Sequence, residues 1–157
     1  MIYSDYRILL TIFQRRNYMS LLNLAKGTAV EEIVSMLNKA EKNGANMYYV
    51  LVQLAKEKGY DDLAEAMLLN AQEDALHGGR YGAMLGESKA DSEDAFWQMV
   101  ISFYKAEAGS KQQLEPLAEK AKAAGQMEIA DLIAESIPEE ELHAERLEAI
   151  LKKYNKI

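Results

Sequence analysis

The chain has 157 residues, of which 49% are apolar and 27% are charged, a composition that suits one globular domain with a sizeable core. Its formal net charge of −7 gives it no general attraction for a phosphate backbone, so we expect no nucleic-acid partner. It contains no cysteine, which excludes disulfides, thiolate catalysis and cysteine-ligated metal centres on these residues. No apolar run is long enough to span a membrane, and the first residues lack the features of a signal peptide. We therefore expect a cytoplasmic protein with no membrane partner.

Residues 1–27 form the first predicted element, a short N-terminal helical segment. Its apolar side chains recur at helical spacing and include Ile2, Tyr6 and Leu10. Such a stripe is suited to capping a helical bundle or lining a dimer contact.

Four long amphipathic helices are predicted after this segment. Thr28 and Glu31 have the spacing of a capping box at the start of the first helix, and Gly59 is placed to end it. The predicted helices cover residues 28–58, 61–85, 92–124 and 126–154. Helices of this length with one apolar face each predict an all-α antiparallel four-helix bundle over residues 28–154.

The sequence of this bundle contains an internal repeat: its two halves align without a gap at an offset of 66 residues. Glu41 then aligns with Glu107, His77 with His143, and Gly59 with Gly125. The repeat units are about 28–85 and 92–154. This pattern indicates two duplicated helical hairpins.

Six polar residues interrupt the apolar stripes of the four helices. They are Glu41, Asp74, His77, Glu107, Glu140 and His143. An acid and a histidine three residues apart lie on the same face of a helix and can ligate one ion. Buried carboxylates are costly unless cations compensate their charge, and this ligand set is that of two-metal helical bundles.

A single inward histidine is more often a hydrogen-bonded core residue than a metal ligand. The chain has only two histidines, however, and each follows a glutamate of an apolar stripe by 36 residues. The repetition favours the metal-site interpretation.

Residues 28–154 resemble the rubrerythrin family of the ferritin-like superfamily. The resemblance is carried by KEKGYDDLAEAM and QEDALH in the first half and by EELHAERL in the second. It implies two iron ions, or manganese bound by the same ligands, that react with hydrogen peroxide or dioxygen. The family's rubredoxin domain has no counterpart here, so the resemblance implies an external electron-donor protein. An additional family glutamate, one turn after Glu107, is replaced by Ser110, and Asp74 stands where the family has glutamate.

The connection between the halves is short for a ferritin-like bundle. Residues 86–94 reach the far end of the bundle only when nearly extended. Either the second helix ends early, at Gly78 and Gly79, or the halves pair with those of a second chain. We expect a homodimer, and both a swapped and an unswapped form are compatible with the sequence.

Two other functions fit the same residues. One is a ferroxidase or iron-storage protein, and the other is a non-enzymatic helical module whose metal site is structural or vestigial. Gly44 and Gly109, close to the two glutamates, either leave room for water or peroxide or allow close helix packing.

Overall fold

The computed structural model describes residues 20–88 and 90–157, which contain four α-helices and no β-strand. The helices are α1 (Glu31–Glu57), α2 (Asp61–Leu85), α3 (Glu93–Ala123) and α4 (Met127–Lys153). The predicted all-α class with four long helices is confirmed. Within these described ranges, none of the helices has the length and apolarity needed to cross a membrane. The predicted apolar stripe of residues 1–19 lies outside them.

The helices pair as two hairpins, which are described separately because each forms its own compact unit. In the N-terminal hairpin α1 packs against α2, and in the C-terminal hairpin α3 packs against α4. Gly59 and Gly125 end α1 and α3 with φ of 75° and 78°, in the left-handed region that glycine tolerates best. The next N–H after each glycine donates back into the helix, to the carbonyl of Ala55 at 2.9 Å and of Ala121 at 3.0 Å. The duplicated sequence thus produces the same turn twice.

The start of α1 differs from the prediction. The helix begins at Glu31, three residues late, and residues 20–30 form turns instead of helix. The Thr28 hydroxyl donates to the Ala25 carbonyl at 2.7 Å, while Glu31 accepts from the Gly27 N–H at 2.6 Å. Both capping-box side chains therefore stabilise the preceding turn. In α3, by contrast, Ser92 is the N-cap, accepting from the Ala95 N–H at 3.1 Å.

The end of α2 is capped by the segment that precedes α1. The N–H groups of Asn23 and Ala25 each donate at 3.0 Å, to the carbonyls of Ala83 and Met84. These carbonyls lie in the last turn of α2, and that of Ala83 also accepts from the N–H of Gly86 at 3.0 Å. The helix continues to Leu85, so an early end at Gly78 and Gly79 is wrong.

Small residues let α1 and α2 approach closely. Ala71 is fully buried, and Val52, Ala55 and Ala64 form a buried apolar cluster. A Cβ added at Gly78 would lie 3.2 Å from Cγ of Lys42, so the helices are nearly in backbone contact beside Glu41. In the C-terminal hairpin the buried small residues are Ala118, Ala130 and Ala144. This spacing allows side chains of modest length on neighbouring helices to meet.

Glu87 joins the end of the N-terminal hairpin to α1. Its carboxylate accepts hydrogen bonds at 2.6 Å from Lys42 and from the buried amide of Asn38. The Lys42 ammonium is the main cause that lowers the pKa of Glu87 from 4.5. Both charged side chains are about half exposed, so solvent screening keeps the contribution of this ion pair small.

We predict that Glu87→Gln lowers the free energy of unfolding at pH 7 by about 0.5–1 kcal/mol. Because the folded-state pKa is depressed, this stabilisation is present above pH 4.5 and is lost as the pH falls through the lowered value. Urea unfolding at neutral and acidic pH measures the difference, and Glu65→Gln on the exposed face of α2 is the control. A loss that is equally large in strong acid would contradict the charge-based explanation.

Candidate metal centre

The N-terminal hairpin brings Glu41 of α1 together with Asp74 and His77 of α2. Each of the three offers a ligand atom, and these atoms all lie within 4.8 Å of one another. Nδ1 of His77 is 3.6 Å from Oε2 of Glu41. All three residues are half-buried. We call this group the first half-site, a name that refers only to its place in the first half of the duplicated sequence.

The C-terminal hairpin brings together Glu107 of α3 with Glu140 and His143 of α4, again with ligand atoms within 4.8 Å of one another. Nδ1 of His143 lies 3.4 Å from Oε2 of Glu107 and 3.4 Å from Oε2 of Glu140. The two acids are half-buried, whereas the imidazole is exposed. We call this group the second half-site.

The electrostatics of the second half-site are those of two acids that compete for one proton. Hydrogen bonding with Glu140, aided by burial, raises the pKa of Glu107 above its ordinary value. The same hydrogen bond, together with His143, lowers the pKa of Glu140. The two carboxylates therefore resist being ionised together unless a positive charge lies between them.

The donor set of each group fits a divalent metal ion. Two carboxylates and one imidazole are ligands that iron and manganese accept. Oε2 of Glu107 is buried and has no hydrogen-bond donor among residues 20–88 and 90–157. A buried carboxylate oxygen without a donor is costly, and a cation held by Glu107, Glu140 and His143 would satisfy it.

The structure therefore places the six predicted ligands in two groups of three, one in each hairpin. The i, i+3 pairs on α2 and α4 do point the same way, and the glutamates of α1 and α3 meet them. Ser110, at the position of the additional family glutamate, donates its hydroxyl to the Ala106 carbonyl at 3.0 Å. This hydroxyl is directed at its own helix backbone.

Of the two sequence interpretations of Gly44, close helix packing agrees with the structure, and room for water or peroxide does not. A Cβ at this position would lie 2.6 Å from Oδ2 of Asp74, so the space beside Gly44 is taken by a ligand carboxylate. The signal was present in the repeat, which pairs Gly44 with a short acid in one half and Ser110 with a longer one in the other. At Gly109 a Cβ would make only an ordinary contact, 3.6 Å from the Gln113 amide.

The fold and these clusters define a class: an all-α protein of two helical hairpins, each with a carboxylate–histidine group that could hold a metal ion. Among known proteins, the chain is similar to reverse rubrerythrin-1 of Clostridium acetobutylicum, with 26% identity over 137 residues, covering 86% of this chain and 74% of that protein. It is also similar to an uncharacterized protein of Methanocaldococcus jannaschii, with 27% identity over 135 residues, covering 86% of this chain and 93% of that protein. No protein-family profile and no solved structure matches the chain.

We predict that Glu107→Gln raises the melting temperature of the chelator-treated protein at neutral pH, because an amide beside Glu140 removes the repulsion of two carboxylates. Since Glu140 and burial raise the pKa of Glu107, the stability that Glu107 contributes is lost as the pH rises above 4.5 through that raised value. The variant should lack this loss, and its metal affinity should fall about tenfold or more.

Thermal unfolding across this pH range and a cobalt(II) titration measure the two effects of Glu107→Gln. Glu139→Gln is the matched control, since Glu139 is exposed and adjacent to the ligand Glu140. A Glu107→Gln protein less stable than the wild type at neutral pH would contradict the account of the acid pair.

Proposed function

We propose that the chain is a rubrerythrin-like oxidoreductase of the ferritin-like superfamily. Its two half-sites form one di-iron centre, which reduces hydrogen peroxide or dioxygen with electrons from a separate donor. The observation that carries the proposal is the repetition of one carboxylate–histidine cluster at equivalent positions of two hairpins. The similarity to reverse rubrerythrin-1 over most of this chain supports the same class of protein.

The ligand residues have distinct roles in this proposal. Four carboxylates, two in each half-site, compensate the charge of the ions, and His77 and His143 are neutral nitrogen ligands. When bound, two ferrous ions supply the two electrons that convert hydrogen peroxide to water. The six residues would hold the two ions. Because the 157 residues contain no cysteine, they hold no rubredoxin-type centre, and the proposal therefore includes a separate electron donor.

The half-sites belong to one centre only if the ligand-bearing faces of two hairpins pack together as a four-helix bundle. Large apolar side chains are exposed at matching repeat positions of the four helices. They are Leu37 and Phe103, one turn before the glutamates, and Leu63 and Ile129 on the partner helices. We propose that these faces are covered in a homodimer, with or without exchange of hairpins. A metal-loaded monomer in light scattering would contradict the dimer.

Elemental analysis of protein purified without chelators tests the proposal directly. We predict about two iron or manganese ions per chain, one for each half-site, and loss of both in the His77→Ala/His143→Ala double variant. The reduced iron protein should consume hydrogen peroxide or dioxygen, monitored by reoxidation of the centre, and the double variant should not.

Matched controls are available beside each ligand turn. Glu73 and Glu139 are exposed and precede Asp74 and Glu140 directly. Glu73→Gln and Glu139→Gln should keep the full metal content, whereas Asp74→Asn and Glu140→Gln should lower it. A wild type that remains metal-free after incubation with ferrous or manganous ion would contradict the proposed function.

A further inference from the structure

The contact between Gly44 and Asp74 makes the two half-sites unequal. The ideal Cβ position of Gly44 is 2.6 Å from Oδ2 and 3.6 Å from Cγ of Asp74. Cβ atoms essentially never approach an oxygen so closely, so any other residue at position 44 would require this carboxylate to move. Gly44 lies on α1 one turn after Glu41, and Asp74 lies on the opposing helix α2.

The C-terminal hairpin has different residues at the two equivalent positions. There the position equivalent to Gly44 carries a side chain, Ser110, and the equivalent acid is Glu140, one methylene longer than aspartate. The shorter acid, Asp74, thus occurs in the hairpin that has glycine at position 44 of α1. The pairing is steric: without a Cβ at position 44, the Asp74 carboxylate can lie against α1 and still share the 4.8 Å cluster with Glu41 and His77.

Other contacts do not fix the Asp74 carboxylate. Among residues 20–88 and 90–157 it has no hydrogen-bond donor that would hold it in place. Asp74 has two rotatable side-chain bonds, so an added methyl group would turn the carboxylate aside more readily than it would separate the helices.

The geometry points to Gly44 as a positioning residue of the first half-site. Because Gly44 has no side chain, the Asp74 carboxylate can occupy the space beside α1, and this position of the carboxylate sets the metal affinity of the first half-site. This inference deepens the proposed function and rests on it only for the metal. The position of the carboxylate is a property of the metal-free hairpin.

The metal-free test is an NMR comparison. In the chelator-treated, ¹³C-labelled protein, Gly44→Ala should shift the side-chain carboxyl resonance of Asp74, because the carboxylate must leave the space that the methyl group enters. Gly79→Ala is the control, since a Cβ there meets nothing within 4 Å and Gly79 lies in the same hairpin. An unchanged Asp74 resonance in Gly44→Ala would overturn the inference, whatever the metal content of the protein.

The metal test is a cobalt(II) titration followed by absorption and calorimetry. Gly44→Ala should weaken binding of one of the two ions by about 10- to 100-fold, the usual cost of losing the support of a ligand. Gly79→Ala should bind as the wild type does. In an Asp74→Ala background, Gly44→Ala should have no further effect, because the residue acts through Asp74.

Two results of the cobalt titration would overturn the inference. One is wild-type affinity for both ions in Gly44→Ala, and the other is an equal loss in the presence and absence of Asp74. A wild type that binds no cobalt would instead contradict the proposed function, and the Asp74 resonance then decides the positioning role by itself.

Discussion

The repulsion between carboxylates held on facing helices is the constraint on which the rest of this structure depends. Glu107 and Glu140 compete for one proton, and a buried oxygen of Glu107 has no hydrogen-bond donor among the residues described. Such an arrangement destabilises a hairpin by itself, because charge is confined where water is partly excluded. A divalent cation turns the same arrangement into a favourable one. The C-terminal hairpin thus carries a carboxylate–histidine group that could hold a cation.

Close packing of the paired helices brings these carboxylates near one another. Ala71 and Gly78 in the N-terminal hairpin, and Ala130 and Ala144 in the other, keep the paired helices close enough for acids and imidazoles to meet across them. Because the hairpin is duplicated, the second hairpin carries an equivalent ligand group. The two groups differ, because one has the short acid Asp74 beside Gly44, whereas the other has Glu140 and Ser110 at the equivalent positions.

Much of the fold and of the site could be predicted from sequence, because both depend on local periodicity. The helix bounds, the glycine turns at 59 and 125 and the clustering of each ligand triplet follow from helical spacing and the repeat. The predicted start of α1 was wrong because the Glu31 carboxylate accepts a hydrogen bond from the Gly27 N–H and does not take part in a helix cap. The contact of Gly44 with Asp74 depends on the distance between two helix axes, which helical spacing alone does not give, and its only sequence signal is the exchange of Gly44 and Asp74 for Ser110 and Glu140 in the repeat. The predicted early end of α2 was wrong because N–H groups of the turn at residues 23–25 donate hydrogen bonds to carbonyls of its last turn and stabilise the longer helix.

The central proposal is that the ions of the two half-sites would belong to one two-metal centre. Electron paramagnetic resonance of the fully manganese(II)-loaded protein tests it most directly, because ions bridged by carboxylates are magnetically coupled. The account predicts the spectrum of an exchange-coupled manganese pair, lost in the His77→Ala/His143→Ala variant. If elemental analysis shows full occupancy but the spectrum is that of isolated manganese(II) ions, the half-sites bind their ions separately, and the proposal of one two-metal centre is contradicted.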